Sequence, residues 1–128
     1  MRLLLDTHAF LWFTMGDSNL SDTARIQIEN ADNQKFVILV SVWEMAIKSS
    51  TGKMKFHQTL PELLTVQMER NGFDYLPIDL AHIIAVEKMS FIHKDPFDRL
   101  LFAQSIAEDL TLVSIGAVAD AHGVNRCW

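Results

Sequence analysis

MRLLLDTHAFLWF, residues 1–13, places an ionisable residue, Asp6, directly after three leucines. The run Leu3 to Leu5 has the composition of a short strand that is buried on both faces, as strands of parallel sheets are. A carboxylate at the end of such a strand is costly unless a hydrogen-bond donor or a cation meets it. The segment therefore predicts a buried first strand, Arg2 to Leu5, with Asp6 at the edge of the core.

The size and composition of the chain limit its class. Its 128 residues are 49% hydrophobic, which fits one compact domain spanning residues 1–128. The single cysteine, Cys127, has no partner for a disulfide within the chain, so we expect a reducing, cytoplasmic location. No apolar run has transmembrane length, and we expect no membrane partner. The net charge of -5 disfavours non-specific nucleic-acid binding, although a bound cation offsets acidic charge locally.

Strands and helices alternate along the chain. The predicted strands are Arg2 to Leu5, Lys35 to Val40, Phe73 to Ile78 and Leu110 to Ser114, with a weaker fifth at Val124 to Cys127. Predicted helices begin near Thr7, Ser21, Ser41, Leu60, Asp79 and Asp95. Alternation of this kind requires crossover connections, so the sequence predicts an α/β fold, with a mainly parallel central sheet covered by helices on both faces.

Three acidic residues from distant parts of the chain are predicted to meet at one edge of this sheet. Asp6 follows the first strand, Glu44 lies in the first turn of the predicted helix after the second strand, and Asp98 lies in the first turn of the DPFDRLLFAQ helix. Ligands of open α/β sheets bind at the carboxyl ends of the strands. Clustered carboxylates repel, and a hard divalent cation with oxygen ligands, Mg²⁺ or Mn²⁺, relieves the repulsion. Such an ion activates water and favours phosphodiester hydrolysis.

Each acid also has a purely structural interpretation. Asp6 is placed to cap the following helix, and Ser41 with Glu44 matches a capping box, in which each side chain satisfies a backbone donor of the other residue. Asp95 followed by proline is typical of a helix start, where the helix dipole favours Asp98. Capping explains each acid singly, but it does not require the capped ends to face a common point.

Lys53 and Lys55, in the loop Gly52 to Thr59, lie close in sequence to Lys48, which is on the predicted helix that carries Glu44. The usual role of such lysines is to form a solvated face, and the alternative is that they hold an RNA backbone, because phosphate contacts supply much of nucleic-acid affinity. Among the other side chains, Phe10 and Trp43 are predicted to be core residues. Trp12 lies off the apolar stripe of its helix and is predicted to face a groove or a partner.

Four blocks of the sequence resemble a known family in order and spacing: LLLDTHAFLWF, VSVWEMAIKSSTGKMKF, HKDPFDRLLFAQSIAEDLTLVS and HGVNRCW. They are similar to the PIN-domain ribonuclease toxins of the VapC type, over nearly the whole chain. The resemblance implies a three-layer α/β/α sandwich, RNA cleavage with Mg²⁺ or Mn²⁺, a cognate antitoxin and a homodimer. By position, Asp6, Glu44 and Asp98 match the first three acids of the family, as catalytic and metal-binding residues.

The fourth acid of the family has no counterpart here. Members commonly have Thr or Ser, any residue and then Asp after the last core strand, whereas this chain has Ser114, Ile115 and Gly116. Ser114 is then expected to assist the site, and Asp95 and Asp120 are candidate substitutes for the missing carboxylate. Two functions follow: a metal-dependent endoribonuclease toxin that is weakened or inactivated at Gly116, and a non-catalytic PIN-fold module that dimerises and binds an antitoxin.

Overall fold

Five short parallel strands form the central sheet in this computed structural model, which describes every residue from Met1 to Trp128. The strands are β1 (Arg2–Leu5), β2 (Gln34–Ile38), β3 (Phe73–Leu76), β4 (Thr111–Val113) and β5 (Arg126–Cys127). Their order across the sheet is β3-β2-β1-β4-β5. The chain builds outward from β1 in one direction and then returns to add β4 and β5 on the other side. The carboxyl ends of β1 and β4 therefore flank the point where strand order reverses, which is where open α/β sheets bind ligands.

Helices cover both faces of this sheet. They are α1 (Thr7–Met15), α2 (Asp22–Glu29), α3 (Leu39–Ser50), α4 (Leu60–Asn71), α5 (Leu80–Glu87) and α6 (Pro96–Ala107), followed by a 3₁₀ helix (Ala117–His122). Successive side chains of a strand point to opposite faces, so Leu3 and Leu5 pack into the core beneath α1, α2 and α4, and Leu4 packs into the core beneath α6. The expected α/β/α sandwich with a parallel sheet is confirmed.

Several predicted boundaries of the elements are wrong by a few residues. The second strand ends at Ile38 instead of Val40, and α3 starts at Leu39, so Ser41 is buried inside the helix and does not cap it. Residues 37–42 form a nearly continuous apolar run, and the periodicity of such a run does not distinguish a strand from a helix, so the hydrophobic pattern does not mark the change. The third strand ends at Leu76 because Pro77 has no N–H for the next ladder bond.

The aromatic predictions have mixed outcomes. Phe10 is fully buried, as expected, whereas Trp43 is 60% exposed and packs only edge-on against the ring of Phe97, at 5.3 Å between centroids. Trp12 is half-buried against the C-terminal Trp128, at 5.9 Å. None of the helices combines the length and the hydropathy that a membrane-spanning segment needs.

Candidate active site

A cavity of about 240 Å³ lies at the switch point between β1 and β4. The side chains that carry charge or hydroxyl groups into its wall include Asp6, Glu44, Asp95, Asp98, Lys48 and Ser114. Four carboxylates face a single lysine, so the wall is strongly acidic. Since like charges in a confined space disfavour one another, this arrangement favours a cation in the cavity.

Asp6 is the N-cap residue of α1. Its Oδ1 accepts a hydrogen bond of 2.7 Å from the backbone N–H of Ala9, so the capping interpretation is confirmed. Burial nevertheless raises the pKa of Asp6 above its ordinary value. The Ser114 hydroxyl, the Ala9 N–H and the nearby His8 act against this rise, and the charge of Asp98 adds a smaller increase. The cap alone thus leaves the ionised carboxylate incompletely compensated.

Glu44 does not act as half of a capping box. It lies in the second turn of α3, where Oε1 accepts a 2.6 Å hydrogen bond from the Thr7 hydroxyl and Oε2 lies 3.0 Å from Nζ of Lys48. Thr7 directly follows Asp6 and is only 6% exposed, and its hydroxyl links the segment that carries the first acid to the second acid. This role of Thr7 is not predicted by the sequence, in which the only signal for it is a hydroxyl residue directly after the first acid.

Asp98 and Asp95 lie at the start of α6 and have different partners. Asp95 is the N-cap, and its Oδ1 accepts from the backbone N–H groups of Phe97 and Asp98, at 2.9 and 3.3 Å. The Asp98 carboxylate points instead to a histidine, with Oδ2 2.7 Å from Nε2 of His93. Asp95 therefore lines the cavity while it caps the helix, and its second oxygen is the part that remains for a ligand.

The segment after β4 keeps the hydroxyl and lacks the fourth acid. Ser114 is 5% exposed, and its Oγ accepts a 3.0 Å hydrogen bond from the N–H of Gly116. Gly116 has φ -73°, which any residue adopts, and an added Cβ would lie 3.3 Å from Oγ of Ser114. Asp120 does not replace the missing acid. Its two oxygens bind Nε and Nη2 of Arg126, at 2.9 and 3.0 Å, and this pair holds the pKa of Asp120 below its usual value.

The three lysines do not form one group. Lys48 lines the acidic cavity through its ion pair with Glu44. Lys53 and Lys55 are exposed in the loop between α3 and α4, and neither lines that cavity. Lys55 borders a separate cleft of about 300 Å³ between the end of α1 and the start of α4. Only Lys48 is close enough to influence the acids directly.

A second group of potential ligands lies elsewhere in the fold. Ligand atoms of Asp79, His82 and Glu108 lie within 4.8 Å of one another. Both imidazole nitrogens already have protein partners, since Nδ1 accepts from the Asp79 N–H at 3.0 Å and Nε2 lies 2.8 Å from Oε1 of Glu108. Because His82 is 2% exposed, this group joins the start of α5 to the end of α6, and it is a structural contact.

The donors of the acidic cavity fit a hard divalent cation. Asp6, Glu44 and Asp98 supply carboxylate oxygens. His8 also lines the cavity, but no cysteine and no second histidine join it to form a ligand set of the zinc type. The pKa of Asp6, raised by burial, identifies a carboxylate whose charge a cation would stabilise. Mg²⁺ and Mn²⁺ are the ions that prefer such donors.

Comparison with known proteins identifies the family. Residues 3–120 match the PIN domain family, whereas comparison with curated proteins gave no match. The fold is similar to that of VapBC2 from Rickettsia felis bound to a promoter DNA fragment, with a TM-score of 0.74 and 14% identity over 98% of this chain and 97% of that chain. It is also similar to VapBC-1 from nontypeable Haemophilus influenzae (TM-score 0.70, 12% identity, 98% and 96% covered) and to a toxin-antitoxin complex from Klebsiella pneumoniae (0.65, 14%, 97% and 94%). The match to the family model covers most of the sequence, and the chain belongs to the PIN domain family.

Proposed function

We propose that this protein is a Mg²⁺- or Mn²⁺-dependent endoribonuclease and the toxin of a toxin-antitoxin pair. The observation that carries the proposal is the acidic cavity at the switch point of the sheet, to which Asp6, Glu44 and Asp98 come from three separate elements. The resemblance of the sequence to the VapC-type toxins matches these residues, by position, to the first three acids of that family. Capping accounts for Asp6 and for Asp95, but it accounts for neither the position of Glu44 nor that of the Asp98 carboxylate.

In the proposed reaction, Asp6, Glu44 and Asp98 hold the metal. The bound ion would supply an activated water and neutralise charge on the phosphodiester. The side chains around the acids fix the ligands in place: the Ala9 N–H holds one oxygen of Asp6, and the Thr7 hydroxyl holds one oxygen of Glu44. Preorganisation of this kind lowers the cost of assembling the site when substrate binds.

Lys48 has two roles in this proposal. Its ammonium is 3.0 Å from Glu44, so it offsets acidic charge in the cavity before a cation binds. With a cation bound, the same ammonium is available to a substrate phosphate, which is the ordinary partner of a lysine in nucleic-acid sites. Lys53 and Lys55 are exposed outside the cavity and would contact the RNA backbone further along the strand.

A cognate antitoxin and a second copy of the chain are the proposed protein partners. The antitoxin is proposed because a toxin-antitoxin complex and two VapBC complexes share this fold. The dimer is proposed because α5 and the loop after it expose large apolar side chains, with Leu80 72% and Phe91 79% accessible. Apolar side chains exposed together mark interaction surfaces. Substitution of both residues by Glu should leave a monomer in light scattering, and an unchanged dimer would exclude this surface.

A non-catalytic binding module is the second candidate, and Gly116 favours it. A site with one carboxylate fewer holds its cation less tightly and is less able to fix a second one. The backbone of Gly116 accepts any side chain, and an aspartate there needs only a small adjustment of Ser114. The Gly116→Asp variant therefore restores the family pattern without backbone strain, which makes it a direct test.

The deciding experiment is cleavage of a mixed RNA substrate by the purified chain in Mn²⁺. Asp6→Asn is the matched control, because asparagine caps a helix as well as aspartate does and removes only the charge. Cleavage by the unaltered chain that is lost in Asp6→Asn and in chelator supports the nuclease. Cleavage by Gly116→Asp alone supports the binding module, and cleavage that persists in Asp6→Asn excludes the proposed site.

A further inference from the structure

His93 lies outside the acidic set and contacts one of its members directly. Its Nε2 is 2.7 Å from Oδ2 of Asp98, within the range of a strong hydrogen bond. An ionised carboxylate can only accept hydrogen bonds. In this pair, Nε2 of His93 therefore carries a hydrogen and donates a hydrogen bond to Oδ2 of Asp98. Oδ1 of Asp98 accepts no hydrogen bond from the protein. The contact therefore holds one oxygen of Asp98, a residue that lines the cavity, and leaves the other oxygen without a protein partner.

The loop that carries His93 is itself held by a buried side chain. Arg99 is 6% exposed, and its Nη1 donates to the carbonyl oxygens of Ser90 and His93, at 2.8 and 3.0 Å. Its Nη2 donates to the carbonyls of Val86 and Met89, at 3.2 and 3.3 Å. A planar guanidinium that bonds four carbonyls fixes the path of the segment between α5 and α6. Arg99 directly follows Asp98 in the chain. The residue that holds the backbone of His93 is therefore the immediate neighbour of the acid that the His93 ring contacts.

The imidazole ring is also restricted from the side. Its centroid lies 6.0 Å from that of Phe102, which is 3% exposed and one helical turn beyond Asp98. The His93 side chain is 28% exposed, and its contact with a buried aromatic residue, together with the held backbone, reduces the number of rotamers open to it. The Nε2 donor is therefore directed at Oδ2 before any ligand arrives.

We propose that His93 is a positioning residue for Asp98, which holds Oδ2 so that Oδ1 is presented to the divalent cation. The inference rests on the proposed metal-dependent function and names a residue outside its ligand set. Carboxylates that bind metals are commonly oriented by a hydrogen bond from an outer residue, and loss of that residue lowers metal affinity by about 10- to 100-fold. His93 is the only side chain that donates to the Asp98 carboxylate.

The test compares Mn²⁺ affinity of the isolated chain by isothermal titration calorimetry, with four variants. His93→Leu removes the donor, and His93→Gln keeps an N–H donor near the position of Nε2. His57→Leu is the matched control, because His57 is exposed in the loop before α4 and lines no part of the acidic cavity. Asp98→Asn reports loss of the ligand itself. Urea unfolding of every variant separates a loss of affinity from a loss of folded protein.

The expected result is an increase in the Mn²⁺ dissociation constant of about 10- to 100-fold for His93→Leu, recovery of most of the affinity in His93→Gln, and no change in His57→Leu. Equal affinities for the unaltered chain and His93→Leu would overturn the inference and leave the proposed function intact. Equal losses in His93→Leu and His93→Gln would also overturn it, because the donor would then be irrelevant. If the unaltered chain and Asp98→Asn bind Mn²⁺ equally, the proposed metal site fails and the inference fails with it. Should His93→Leu not fold, His93→Asn supplies the comparison, since its shorter amide does not reach Oδ2.

Discussion

Replacement of Thr7 by valine should destabilise the protein, because it removes the donor that holds Glu44. The hydroxyl donates to Oε1 at 2.6 Å from a side chain that is 6% exposed. A hydrogen bond to a charged group contributes about 1.5–3 kcal/mol. Valine has nearly the same shape and recovers about 0.8 kcal/mol by burying a methyl group. The expected net loss in the free energy of unfolding is therefore about 1–2 kcal/mol, or about 4–8 °C in melting temperature for a chain of this length.

Urea unfolding in chelator measures this loss, and Thr7→Ser is the matched control because it keeps the hydroxyl. A double-mutant cycle with Glu44→Met isolates the pair, because methionine removes the acceptor oxygens while distant effects of either substitution cancel. We expect a coupling energy of at least about 0.5 kcal/mol between the two positions. Additive losses in the double variant, or a loss in Thr7→Ser as large as in Thr7→Val, would refute the argument that this hydroxyl holds the acid.

Three further predictions concern charge and burial. Burial raises the pKa of Asp6 in the folded protein above its value in the unfolded chain, so ionisation of Asp6 opposes folding. The contribution of neutral Asp6 to stability is fully present below the unfolded pKa, and it is lost as the pH rises through the folded pKa. Asp6→Asn keeps the cap to Ala9, so it should raise the free energy of unfolding of the metal-free protein at neutral pH and lose this advantage in acid. If urea unfolding shows a gain in stability that does not depend on pH, the raised pKa of Asp6 is contradicted. Arg99→Lys should lower the free energy of unfolding by about 2–3 kcal/mol, since an ammonium cannot bond four carbonyls in a planar fork, and a change within error would show that these contacts are dispensable. Joint substitution of Lys53 and Lys55 by Glu should weaken RNA binding by a similar factor for all sequences and reduce its salt dependence, and unchanged affinity at two salt concentrations would remove both lysines from the RNA path.

Sequence pattern alone predicts the positions of only some residues of the candidate site. Strand ends and helix starts place Asp6 and Asp98 correctly, because both follow local rules of capping and strand length. The same local rules misassign Glu44, since the capping-box pattern at Ser41 competes with a helix that begins two residues earlier. A cap contributes about 1 kcal/mol, which is less than the roughly 1.5–3 kcal/mol gained by burying an apolar side chain such as Val40, which is 5% exposed in α3. The exposed Trp43 has a related origin, since the earlier start places its side chain on the solvent face of α3.

The sequence by itself determined the alternation of strands and helices, the parallel sheet, and the positions of Asp6 and Asp98 at the starts of their helices. These features follow from periodicity, capping and composition within short segments, because they depend on interactions between residues that are close in sequence. Only the tertiary structure decided which donor each acid has: Thr7 for Glu44 across 37 positions of the chain, and His93 for Asp98 through a loop held by Arg99. Such contacts depend on how separate elements pack, and their geometry is set by the order of strands and by buried side chains that no short segment contains.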